Sequence, residues 1–140
     1  MSEPQRHAAC QCGQLNITVK GNPDFAVACH CIACQRRTGS PFGIGAYYRR
    51  DQVESIDGNV KTFDRVAESG RNLSNHFCPD CGTNLYWTLE MRPDHMGIAL
   101  GCFDDPQFVQ PVRTIWTEHQ HAWIHLPDDL PAFEKAVPPS

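Results

Sequence analysis

The stretch Cys29-His30-Cys31-Ile32-Ala33-Cys34 packs three thiols into six residues as C-x-C-x-x-C. Two further pairs flank it, Cys10-Gln11-Cys12 before and Cys78-Pro79-Asp80-Cys81 after. Seven of the eight cysteines therefore stand at metal-ligand spacing, and Cys102 stands alone. Four thiolates close a tetrahedral zinc site, whereas three leave a coordination position open. The nature of the central triplet is thus the functional question.

Outward from the triplet, the chain reads as short strands. Leu15-Asn16-Ile17-Thr18-Val19-Lys20 and Leu73-Ser74-Asn75-His76-Phe77 alternate apolar and polar residues, the period of a half-buried strand. Phe25-Ala26-Val27-Ala28 leads into the triplet, and Cys34-Gln35-Arg36-Arg37-Thr38 fits one helical turn stopped by Gly39. Phe42 to Tyr48 reads as a strand loosened by glycines, a composition that lets another group approach the backbone. Val53 and Ile56 precede an Asp57-Gly58 turn, Val60-Lys61-Thr62-Phe63 follows as a strand, and a polar loop is expected from Asp64 to Arg71. Leu85-Tyr86-Trp87-Thr88 leaves the Cys78/Cys81 turn as a strand, and Met96 to Phe103 is apolar enough for a central one. Arg113 to Thr117 and Ala122 to His125 are expected as late strands, with a proline-rich, extended tail and a polar N-terminal leader. Many short strands punctuated by Gly and Pro predict a mainly β domain.

With 140 residues the chain is expected to form a single domain over 1–140, its core spanning about 6–133. A formal charge of −4 and no basic stripe speak against a nucleic-acid partner. No run nears the ~20 apolar residues of a membrane span, and no secretory signal is visible at the N-terminus. Cysteines in C-x-C and C-x-x-C groupings without such a signal read as metal-bound thiols in a reducing compartment, so the expected location is cytoplasmic.

Cys10/Cys12 and Cys78/Cys81 are each followed by glycine and then a strand, the pattern of two zinc knuckles. Brought together they make a closed four-thiolate, structural site that crosslinks distant segments. Three readings stay open for Cys29, Cys31 and Cys34: an open, catalytic zinc site; a site closed by Cys102; or a redox-active thiol cluster.

At these residues the chain resembles the glutathione-dependent formaldehyde-activating (GFA) family, whose fold is of the β-tent type. The resemblance rests on Cys10-Gln11-Cys12-Gly13, on Cys29-His30-Cys31-Ile32-Ala33-Cys34-Gln35-Arg36-Arg37-Thr38-Gly39-Ser40 and on Phe77-Cys78-Pro79-Asp80-Cys81-Gly82. Gly101 to Pro106, Ile115-Trp116 and Trp123 extend it, so that it runs from about Arg6 to Phe133. It implies two zinc ions, structural on Cys10, Cys12, Cys78 and Cys81 and catalytic on Cys29, Cys31 and Cys34. It also implies a carbon–sulfur lyase that adds glutathione to formaldehyde, giving S-hydroxymethylglutathione. Cys102 departs from the non-thiol residue expected in its strand. A zinc-stabilised binding module and a thiol redox sensor are the alternative functions.

Three thiolates leave zinc formally at −1, a poor activator of water but a good host for a soft fourth thiolate. The expected partners are accordingly a small-molecule thiol and an aldehyde, with glutathione as co-substrate. Glutathione brings two carboxylates, for which Arg36, Arg37 and Arg49 are the candidate cationic forks. His30, between two ligands, is either a proton-handling neighbour or turned away. Tyr47, Tyr48, Trp87, Trp116 and Trp123 are expected in core or pocket wall, while His119, His121 and His125 form a weaker metal-binding candidate.

Overall fold

Ile17 and Val19 are fully buried while Thr18 between them is half-buried, so the alternation of β2 (Asn16–Lys20) turns one face into a core. A computed structural model describes residues 3–67 and 69–136. Its strands are β1 (Gln5–Ala9), β2, β3 (Phe25–Cys29), β4 (Gly43–Arg49), β5 (Val53–Asp57) and β6 (Lys61–Val66). They continue as β7 (Asn72–Phe77), β8 (Asn84–Leu89), β9 (Arg92–Ala99) and β10 (Arg113–Ile115), with one α-helix, α1 (Ile32–Thr38), after β3. The fold is mainly β.

Two sheets carry the architecture. The smaller has the order β1-β2-β5, and the larger β10-β3-β4-β9-β8-β7-β6. Pairing is antiparallel throughout except for β10, which runs parallel to β3. Ala8, Leu15, Ile17 and Val19 from the small-sheet side pack against Ala46, Tyr48, Tyr86, Met96 and Ile98 of the large sheet. The buried Tyr48 hydroxyl donates to the Gly21 carbonyl at 3.0 Å, satisfying its polar tip. The other face of the large sheet carries Cys29, opposite Gly43 on β4 and Ile115 on β10. Register therefore decides which residues surround the triplet.

Four local expectations need correction. The polar leader contains β1, which forms because Ala8 finds a fully buried place beside β2. The strand expected to reach Phe103 stops at Ala99, and Leu100–Cys102 is a 3₁₀ turn. Ala122 to His125 is not a strand: Ile124 N–H bonds back to the His121 carbonyl, and Trp123 is 68% exposed. In the expected polar loop, β6 persists to Val66, and the turn closes with Ala67 N–H donating to the Arg71 carbonyl. Residue 68 of that loop, with Pro138 and Pro139 of the tail, lies outside the described residues. The described part of the tail turns at Pro127, whose carbonyl accepts from Leu130 N–H, and then lies beside β10, where Phe133 N–H donates to the Thr114 carbonyl and Trp116 N–H to the Lys135 carbonyl. Among the described residues no helix is long and apolar enough to cross a membrane.

Candidate metal centres

The two flanking knuckles have the same construction. Cys10 N–H bonds to the Leu15 carbonyl and Cys78 N–H to the Thr83 carbonyl, while Gly13 and Gly82 return N–H groups to Cys10 and Cys78. Both glycines are left-handed, at φ 85° and 80°, a conformation that carries a Cβ penalty in other residues. Gln11 N–H donates to the Thr83 hydroxyl at 3.0 Å and ties one knuckle to the other.

The sulfurs of Cys10, Cys12, Cys78 and Cys81 all lie within 4.8 Å of one another. Cys10 and Cys12 are 3.6 Å apart, and Cys12 and Cys78 are 3.7 Å apart. Tetrahedral geometry at a Zn–S bond of about 2.3 Å places sulfurs about 3.8 Å apart, so the donor set fits one such ion. Donors already face these sulfurs: Leu15 N–H on Cys10, Asp80 and Cys81 N–H on Cys78, and the Gln14 amide on Cys78 at 3.0 Å. The Thr83 hydroxyl and N–H hold the Cys81 thiol down to about 5.

The triplet sits at the corner between β3 and α1. Cys31 caps the helix, its sulfur accepting from Cys34 N–H at 3.3 Å, and Gly39 ends it at φ 65°. One short turn thus brings the Cys29, Cys31 and Cys34 sulfurs within 4.8 Å of one another. Among the described residues no fourth His, Cys, Asp or Glu joins this group. Cys102 does not close it. It lies instead along a cleft with Cys81, and its thiol is raised by burial while feeling Cys10 and Cys81. None of the eight cysteines is in a disulfide.

Arg37 is the cation of the triplet. Hydrogen bonds from Cys29 and Cys31, and then the Arg37 guanidinium, hold Cys34 far below the ordinary thiol range, while the same sharing pushes Cys29 up. The Arg37 guanidinium also lies over the Trp87 ring. Glycines clear the space for this stack. A Cβ at Gly43 would meet an Arg37 nitrogen at 2.4 Å, and Cβ atoms at Gly45 and Gly97 would meet Trp87 at 2.5 and 2.3 Å.

Above the triplet opens a cavity of about 160 Å³. Its walls are mostly apolar, with Val27, Leu73, Trp87, Leu89, Ile115 and Trp116. Trp116 is held at φ 59°, a left-handed backbone that a bulky side chain rarely adopts. Tyr47 is the phenol of the cavity. Its oxygen accepts from Trp87 Nε1 at 3.2 Å, and burial pushes its pKa up to about 12, with the Cys34 and Cys29 charges acting the same way. Residue type alone placed Tyr47 only in core or wall; the glycine alternation of β4, which puts residues 43, 45 and 47 on one face, was the available signal.

The other candidates disperse. Arg36 is exposed on α1 and lines a cleft with Arg37, and Arg49 lies at the far end of β4, paired to Asp24 at 2.7 Å and Asp51 at 3.2 Å. The structure does not bring Arg49 to the triplet. His30 is fully buried and turned away, its Nε2 2.8 Å from the Thr114 hydroxyl and its ring against Phe42. Its pKa is lowered by burial. His121 bonds the Gln35 amide oxygen, His119 stacks on Trp116, and no histidine cluster forms among the described residues. Tyr48 is core, and Trp123 is surface.

A sequence profile described as "Glutathione-dependent formaldehyde-activating enzyme" matches residues 5–119. A Fusarium vanettenii protein provisionally given that enzyme's name is 28% identical over 89 residues, covering 64% of this chain and 47% of its own. A Penicillium rubens protein with the same provisional name is 25% identical over 120 residues, covering 80% and 62%. The chain thus spans less than two thirds of the length of these relatives. A crystal structure of a Rhodobacter sphaeroides protein superposes with a TM-score of 0.56 at 22% identity, over 75% of this chain and 91% of that one, a likeness of fold. With a profile match over most of its length, the chain belongs to the glutathione-dependent formaldehyde-activating family.

Proposed function

We propose that the protein is a cytoplasmic zinc enzyme of the carbon–sulfur lyase class. It adds glutathione, or a similar small thiol, to formaldehyde or a related small aldehyde. The observation that carries this reading is a three-thiol cluster that meets a cavity where a fourth protein ligand would otherwise stand.

Cys10, Cys12, Cys78 and Cys81 would hold a structural ion, and Cys29, Cys31 and Cys34 a second one. When bound there, the second zinc supplies a position suited to a soft thiolate and lowers the pKa of a thiol placed on it. The chain's own residues account for the remaining requirements. Arg37 offsets the negative charge that gathers when a substrate sulfur joins three cysteine thiolates. The apolar walls exclude water, which would compete for the aldehyde.

Addition forms a carbon–sulfur bond between the thiol sulfur and the carbonyl carbon. The π electrons of the carbonyl pass to its oxygen, which takes up the proton the thiol has lost. Tyr47 is the group placed to assist at that oxygen. Trp87 Nε1 donates to it, so its own proton remains available for donation, and with a pKa raised to about 12 it stays protonated at neutral pH.

The test is exchange NMR on zinc-loaded protein with glutathione and ¹³C-formaldehyde. Catalytic amounts should accelerate formation of the S-hydroxymethyl adduct over the spontaneous reaction, and Cys34→Ser should abolish the acceleration. Exchange rates equal to those without protein would overturn the proposal.

A further inference from the structure

The cavity over the triplet has a polar middle and an apolar far end, and strand register sets that order. Tyr47, Gly97, Trp87 and Asn75 form one row across β4, β9, β8 and β7. Two residues farther along β7 and β8, on the side away from Cys29, Leu73 stands opposite Leu89. Met91 and Trp116 line the same cavity. Asn75 is the polar group left unmatched in it. The residue is 6% exposed, and its side-chain amide makes no hydrogen bond to any described residue. Its cross-strand neighbour Trp87 cannot serve it, because Nε1 donates to the Tyr47 oxygen. A buried amide without a partner is a cost that a ligand atom relieves, and the Asn75 N–H groups suit a carbonyl oxygen.

Formaldehyde has no use for the apolar end. It carries one carbon, and in water it is almost wholly the diol, with no apolar surface to bury. A thiol such as glutathione does not fill that end either, since it brings one methylene to its sulfur and then amides, which Leu73 and Leu89 cannot partner. The cavity measures about 160 Å³. An apolar protein cavity of about 150 Å³ holds a benzene molecule, so with the thiol's methylene also inside there is room for a group of about four to six carbons.

We infer that the aldehyde taken by this protein bears an apolar group of about four to six carbons, seated among Leu73, Leu89, Met91 and Trp116, with its carbonyl oxygen toward the Asn75 amide. The inference rests on the proposal that a thiol occupies the triplet and adds to an aldehyde, and it names the class of that aldehyde. The thiol S–H adds across the C=O bond: the carbon–sulfur bond forms, the π bond breaks, and the thiol proton ends on the oxygen. The product is a thiohemiacetal, and no oxidant or reductant is consumed.

The test is exchange NMR on zinc-loaded protein with glutathione and formaldehyde, propanal, butanal or hexanal, each acceleration taken over the spontaneous reaction per free carbonyl. Glutathione binding is followed in parallel from the sulfur-to-cobalt absorption band of cobalt-substituted protein. The acceleration should rise about threefold or more per added carbon as far as the cavity has room. Leu89→Trp fills the far end and should lower the ratio of hexanal to formaldehyde acceleration about tenfold or more. Asn75→Leu should lower the acceleration of every aldehyde about tenfold or more. If either variant fails to fold, the series in the parent protein still decides. Acceleration of formaldehyde with no gain along the series overturns this inference and leaves thiol addition at the triplet standing. No acceleration of any aldehyde, or a cobalt band that does not respond to glutathione, overturns the reading beneath it as well.

Discussion

The Arg37 guanidinium stands 4.3 Å from the centroid of the Trp87 ring, and that ring lies across Gly45 and Gly97 on two adjacent strands. The pair is a layer of charge and aromatic surface laid on bare backbone, and it sets one wall of the triplet cavity. Gly97→Ala puts a Cβ 2.3 Å from Trp87 Nε1, backed by a strand that cannot move freely. The expected cost is about 1–3 kcal/mol, with a displaced indole. Urea unfolding and tryptophan fluorescence check this; a variant as stable as the parent, with the same emission, contradicts it.

Arg37 should also govern the second metal site. Arg37→Gln removes the charge beside Cys34 and should weaken zinc there by about tenfold, whereas Arg37→Lys should recover part of the loss as a point charge. Competition with a colorimetric chelator gives both affinities. Equal affinities in all three proteins would show that Arg37 does not serve the cluster.

Tyr47→Phe removes the cavity's phenolic proton and should lower turnover about a hundredfold or more. Glutathione binding, read from the cobalt band, should change little. The substitution also strips Trp87 Nε1 of its acceptor, at a cost of roughly 1–3 kcal/mol in stability. Unchanged turnover in a folded variant would remove Tyr47 from the mechanism.

Alkali should destabilise the fold through two tyrosines. Burial pushes Tyr47 and Tyr48 each up to about 12, so between the ordinary phenol value near 10 and that limit the folded chain retains protons that the unfolded chain has lost. Stability from this source is constant below pH 10 and falls as pH rises toward 12, by roughly 2–3 kcal/mol for each phenol. Urea midpoints between pH 9 and pH 11 measure the fall. Tyr48→Phe should make it shallower, and an unchanged slope in that variant would refute the assignment.

The two thiol clusters should respond differently to loss of a ligand. Cys78→Ser should cost one metal equivalent and much of the stability, since its cluster joins the turn after β1 to the turn after β7. Cys29→Ser should cost one equivalent and leave the fold standing. Metal analysis with thermal melts decides the matter, and equal melting losses in the two variants would show that the clusters are not divided into structural and open sites.

Both knuckles are legible in sequence because everything that shapes them is local: two cysteines, a following glycine and a strand. The helix cap at Cys31 and the stop at Gly39 are local as well. What needs three dimensions is less legible. Gln5 to Ala9 carries little apolar character of its own, and it becomes a strand because β2 supplies its partner. Ala122 to His125 has a strand-like composition but no partner strand, and it turns instead. Arg49 and Tyr47 lie on one strand two residues apart, yet only Tyr47 lines the cavity; pairing of Cys29 with Gly43 places Arg49 beyond its reach. The cleft behind Arg36 arises from α1 meeting β6, a juxtaposition that no spacing rule contains.

Cys12 and Cys78 are separated by 66 residues, whereas Cys29 and Cys34 belong to one turn. A disordered chain brings the latter thiols together at small entropic cost, but it must close a long loop for the former. Metal offered to the nascent or unfolded chain therefore meets a ready ligand set only at the triplet. An ion held there in both states adds little to the folding equilibrium, while one that needs the closed loop adds its full binding free energy. The order of metal uptake during folding would thus be the reverse of the order of structural importance.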